Sequence, residues 1–145
     1  MYFVDRQKIE QTLQFYDRQL ELLEKEASWE TDVQKAALER ICHTIIEAVL
    51  DVGNSMIDGF IMRDPGSFED IVDILLDEKV ITEEVEKSLK QIIGWRKQLV
   101  QNYMEVDHEG LSNTFQQHLK QIRPFSQMVR NYLETELGPV SAFKN

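Results

Sequence analysis

Leu89-Lys90-Gln91-Ile92-Ile93-Gly94-Trp95-Arg96-Lys97-Gln98-Leu99-Val100-Gln101-Asn102-Tyr103 is the stretch around which this 145-residue chain is organised. Leu89, Ile92, Ile93, Leu99, Val100 and Tyr103 recur at three- and four-residue steps, which predicts one apolar helix face. Arg96 falls on that same face, three residues from Ile93 and Leu99 and seven from Leu89 and Tyr103. A guanidinium keeps its proton, and burying it unpaired costs several kcal/mol. Arg96 therefore needs an acceptor opposite it, or it lines a cleft that receives an anion.

The acceptor is sought first in the longest candidate helix, residues 32 to about 62. Ile41, Ile45, Ile46, Val49, Leu50, Val52, Met56, Ile57, Phe60 and Ile61 cover more than one stripe, so this helix is central in a bundle. His43, Glu47, Asp51, Asn54 and Asp58 step by four, four, three and four and form one polar seam along it. Asp51 or Asp58 is the expected ion-pair partner of Arg96. The alternative is that Arg96 faces a phosphate, and both arrangements fit one molecule.

The remaining chain also reads as helix. Ile9, Leu13, Tyr16, Leu20 and Leu23 mark a first helix behind an Asp5 cap, and Thr31 or Ser28 caps the second. Arg63-Asp64-Pro65-Gly66 is a turn, Ser67 caps a short helix, and Thr82 caps the Arg96 helix. Glu105 to Gly110 breaks the chain and leaves His108 in a loop. A last long helix carries Leu111, Phe115, Leu119, Ile122, Val129, Leu133 and Leu137, kinks at Pro124 and stops at Gly138-Pro139 before an irregular tail. The expected architecture is all-α, a single-domain antiparallel bundle of four or five helices spanning residues 1–145.

Composition narrows the function classes. The net charge of -10 argues against general, backbone-driven nucleic-acid binding and leaves room only for a local cleft. One cysteine, Cys42, cannot form an internal disulfide, and the N-terminus lacks a signal-peptide layout, so a cytoplasmic setting is the default. Apolar runs are too short to span a bilayer. No Gly-rich phosphate loop is present. His43 and Glu47 have no third ligand spaced to complete a metal site, so no metal or cofactor is expected. Trp95 suits either a dimer contact or core packing.

Arg96-Lys97-Gln98-Leu99-Val100-Gln101-Asn102-Tyr103 resembles the signature of the HepT-like family of the HEPN superfamily: Arg, four residues, His, one residue, Tyr. Gln101 stands where that family has His. Asp51-Val52-Gly53-Asn54 is similar to the family's polar patch on the second helix, and length, helix order and the ending Tyr132 to Pro139 resemble the YutE-like subgroup. The resemblance implies a homodimer whose cleft holds both motif copies. It also implies metal-independent RNA cleavage in active members, and a nucleotidyltransferase antitoxin partner that attaches AMP to the tyrosine matching Tyr103.

That chemistry needs a group titrating near neutrality and a fixed cation on the phosphate. Arg96 suits the second role. Gln101 can orient but cannot transfer a proton, because an amide does not titrate; His43 is a candidate substitute across the seam. Arg96 and Tyr103 share a helix face, whereas Gln101 lies about 140° away from Arg96 unless the helix ends or distorts. The functional expectation is a toxin-family relative of RNA endonucleases with weakened or altered activity. The alternative is a non-catalytic dimeric interaction module.

Overall fold

The computed structural model describes residues 4–138. Seven helical segments follow in order: α1 (Arg6–Lys25), α2 (Asp32–Gly59), α3 (Phe68–Asp77), α4 (Glu83–Ile93), α5 (Arg96–Gln101), α6 (His108–Ile122) and α7 (Phe125–Leu137). They form five rods, because α4 runs into α5 through a bend at Gly94–Trp95 and α6 into α7 through Arg123–Pro124. No strand occurs among the described residues. The expected helical bundle is therefore present. Pro139 and the tail to Asn145 lie outside the described residues.

Five of the segments, α1, α2, α3, α4 and α6, begin where a side-chain oxygen accepts from a free amide, whereas α5 and α7, which follow the two bends, have no such cap. Asp5 accepts from the Lys8 amide at 3.0 Å and Ser67 from the Asp70 amide at 3.1 Å. Thr31, not Ser28, caps α2, and Gln34 reaches back to the Thr31 amide to complete a capping box. Asp107 caps α6, so His108 is its first helical residue rather than part of a loop.

α2 is the central rod. Leu38, Cys42, Ile45, Ile46, Val49, Val52 and Met56 bury sides of it that no single neighbour could cover, and α1, α3, α5 and α6 all pack on it. Gly53 lets α3 come close, since a β-carbon there would meet Ile71 Cγ2 at 2.3 Å. α2 also stops earlier than its apolar run suggests. Ile61 adopts φ 58°, and the Met62 amide reaches back to the Ile57 carbonyl at 2.9 Å. This is the left-handed helix closure usually given to glycine. For a β-branched residue it costs about 1–2 kcal/mol. Ile61 is also left largely exposed.

The Pro124 break is built into the core. Tyr16 is fully buried, stacks edge-on against Phe125, and donates its hydroxyl hydrogen to the Ile122 carbonyl at 2.7 Å. Burial pushes the Tyr16 phenol well above its ordinary pKa, so it stays a donor.

Two stability outcomes follow. Ile61→Gly raises the unfolding free energy by about 1 kcal/mol by relieving the left-handed β-branched residue. Tyr16→Phe lowers it by about 1–3 kcal/mol by orphaning a buried carbonyl. Urea titrations of the three proteins measure both.

Candidate functional site

Arg96 opens α5 immediately after the Gly94–Trp95 bend. Trp95 packs inward, with its ring edge 2.9 Å from where a β-carbon on Gly110 would stand, so core packing accounts for it. The bend aims Arg96 at α2. Its Nε donates to Glu47 Oε1 at 2.6 Å, and its guanidinium carbon sits 4.3 Å above the Phe68 ring centroid. Among the described residues this is its only side-chain hydrogen bond, so Nη1 and Nη2 make none. One quarter of the side chain stays accessible. A guanidinium held by its inner nitrogen and by a ring face presents its outer fork to whatever enters.

Glu47 serves a second group. His43, one turn earlier on α2, places Nε2 3.5 Å from the same Oε1. One further turn back, Glu39 Oε2 lies 2.6 Å from His108 Nε2 at the start of α6. Glu39, His43, Glu47 and Asp51 thus form an ionic stripe at four-residue steps, flanked by α5 and α6. Partial burial and the Glu47 carboxylate raise the Asp51 pKa, opposed by Lys8 and Arg96.

The seam expected from the sequence is divided. Asp51 and Asp58 are not the acceptor of Arg96; Glu47 is, because the bend turns Arg96 toward the earlier part of α2. Asp51, Asn54 and Asp58 together line a shallow groove of about 270 Å³ with Lys8, Ile9 and Thr12 of α1. The continuous apolar face through residue 103 is also corrected. Leu89, Ile92, Ile93 and Leu99 are buried, but Val100 is exposed and Tyr103 is 62% exposed. α5 ends at Gln101, so Tyr103 falls in the following turn and no longer shares a helix face with Arg96. Gln101 is exposed as well, and neither Gln101 nor Tyr103 hydrogen-bonds to Arg96 within the chain.

Three contributors escaped the sequence reading. Phe68, at the start of α3, carries its ring under Arg96. Glu39 lies four residues before His43 and extends the same stripe, so its spacing could have found it. His108 could be placed only once the N-cap of α6 was known. No group of three or more His, Cys, Asp or Glu side chains is placed to hold a metal among the described residues. The Glu47 carboxylate is occupied by a guanidinium. No described helix is long and apolar enough to cross a membrane.

The family model described as Ribonuclease HepT-like matches residues 7–129. This chain belongs to the HepT-like family. A relative from Bacillus subtilis (strain 168), named "Putative RNase YutE", is 54% identical over 144 residues, covering 99% of this chain and all of the relative. The structure of the cytosolic Bacillus subtilis protein YutE, described as of unknown function, superposes with a TM-score of 0.95 at 53% identity, over 99% of this chain and 100% of that one. A tri-AMPylated Shewanella oneidensis HEPN toxin in complex with an MNT antitoxin gives a TM-score of 0.71 at 18% identity. That match covers 86% of this chain and 95% of that one and shows a shared fold.

The raised Asp51 pKa gives a signed expectation. Folding favours the protonated carboxyl, so this residue's contribution to stability declines as pH rises above its ordinary 3.8. Asp51→Asn removes that penalty. The variant melts slightly above the parent near neutrality, and the difference closes below about pH 3.8. Melting curves across that range check it.

Proposed function

We propose that this chain is a HepT-like toxin-family protein that cleaves RNA without a metal ion, with Arg96 holding the scissile phosphate. The observation that carries the reading is the Arg96 fork, held by Glu47 and Phe68 with no hydrogen bond to either outer nitrogen among the described residues. An arginine so held loses little freedom on binding and suits bidentate contact with a phosphate. The net charge of -10 repels a polyanion at long range, so binding depends on this local cation. The relative's RNase name and the HEPN toxin fold support the same class.

Gln101 and Tyr103 stand on the rim beside Arg96 in the sequence rather than in contact with it. A second copy of the chain, docked across Val100, Tyr103 and Met104, would bring two such rims together in a homodimeric cleft. Asp51 stands one turn beyond Glu47 on the stripe, and Asn54 and Asp58 continue from it into the groove against α1. The exposed Tyr103 hydroxyl is open to modification, and a nucleotidyltransferase antitoxin is the partner of matching chemistry. The setting proposed is cytoplasmic, as for YutE.

A second reading rests on Gln101. If the site has no proton carrier, the same exposed rim serves a non-catalytic dimeric interaction module.

The substitutions separate the two. Arg96→Ala lowers cleavage of a single-stranded RNA by about 100-fold or more. Gln101→His raises it by supplying a titrating group. Gel assays with the purified chain, free of metal and with chelator present, measure both. Absence of cleavage by the parent and by both variants favours the interaction module.

A further inference from the structure

Arg96 Nε and His43 Nε2 converge on a single oxygen, Oε1 of Glu47, at 2.6 and 3.5 Å. The two nitrogens are therefore separated by no more than the sum of those distances, about 6 Å. Cleavage through the 2′-hydroxyl needs a proton carrier within that reach of the phosphate, and histidine is the side chain whose ordinary titration spans neutrality. The chain has three histidines. His118 is committed elsewhere, with Nδ1 3.0 Å from the buried Ser88 Oγ of α4. His108 is tied to Glu39, which lies eight residues, about 12 Å of helix rise, before Glu47. Only His43 shares a partner with Arg96.

We infer that His43 is the proton-carrying catalytic residue of the Arg96 site and that Glu47 is the positioning residue for both. The inference rests on the ribonuclease reading above. A carboxylate facing Nε2 favours the tautomer that carries its hydrogen there, which leaves Nδ1 as the basic nitrogen. Nδ1 takes the 2′-hydroxyl proton as the 2′-oxygen forms its bond to phosphorus. The phosphorus–O5′ bond breaks, and the imidazolium returns the proton to the departing 5′-oxygen, directly or through one water. The products are a 2′,3′-cyclic phosphate and a 5′-hydroxyl, with His43 restored to its starting form. Arg96 carries the charge that builds on the non-bridging oxygens. The charged groups around His43 are Glu47 and, one turn back, Glu39 from α2, Arg96 from α5 through Glu47, and His108 from α6 through Glu39. Its side chain is 30% accessible, enough for a ribose edge to reach it. The seam spacing names His43 as a candidate from the sequence, and the shared Glu47 oxygen ties it to Arg96 across 53 positions of chain.

The test uses the full-length protein, a single-stranded RNA oligonucleotide and cytidine 3′-monophosphate as a binding probe. His43→Gln is expected to lower cleavage by about 100-fold while probe affinity stays within about twofold of the parent. Arg96→Ala loses both. Glu47→Gln depresses cleavage and changes the pH–rate profile, and Glu47→Asp restores part of the rate. In the parent, the probe moves the NMR signals of the His43 ring, and in Arg96→Ala it does not. Cleavage retained by His43→Gln, or a His43 ring unmoved by bound probe, overturns this inference and leaves the ribonuclease reading standing. A parent that cleaves no RNA overturns both.

Discussion

The hydrogen bond from Arg96 Nε to Glu47 Oε1 joins the bent α4–α5 rod to the central helix, and the geometry of the site descends from it. Both side chains keep a quarter to a third of their surface in water, so screening limits what the pair adds to stability to about 1 kcal/mol or less. That is small beside the buried side chains of the core. The value of the pair is directional. Bonding through the inner nitrogen fixes the plane of the guanidinium and leaves the fork pointing outward, where bonding through the ends would have spent it.

The surrounding scaffold makes that orientation possible at three points. The absence of a side chain at Gly53 lets α3 lie close, which carries Phe68 under the guanidinium. The bend at Gly94–Trp95 rotates Arg96 out of the apolar face that its spacing from Ile92 and Leu99 would impose. The capping box at Thr31 and Gln34 fixes where α2 begins, and so which turn presents His43 and which presents Glu47. A stripe of acids and histidines at four-residue steps works only if its register against α5 and α6 is held.

Much of this was legible in the residues. The 3.6-residue periodicity gave every rod, and the caps at Asp5, Ser67 and Thr82 gave their starts, because both are local properties of the chain. The need of Arg96 for a carboxylate on the second helix was also legible, since the cost of an unpaired buried cation depends only on chemistry. Which carboxylate it found was not. Choosing Glu47 over Asp51 or Asp58 depends on a bend of two residues whose backbone angles stay close to helical, and no breaker residue signals it beyond Gly94. The end of α2 failed for a related reason. Phe60 and Ile61 continue the apolar pattern, yet Ile61 takes a backbone conformation its side chain disfavours. Hydrophobic spacing says where a helix is able to continue, and the packing of its neighbours decides where it stops.

The lone thiol has a practical consequence. Cys42 is fully enclosed on α2, and burial raises its pKa far above the ordinary range, so the reactive thiolate is scarce. Fluorophores and spin labels that couple to sulfur will therefore pass it by in the folded chain. A cysteine engineered onto the exposed rim near Met104 would take up such a label alone, with the native residue left in place. Distance measurements between two labelled copies could then be made on a chain whose interior had not been altered.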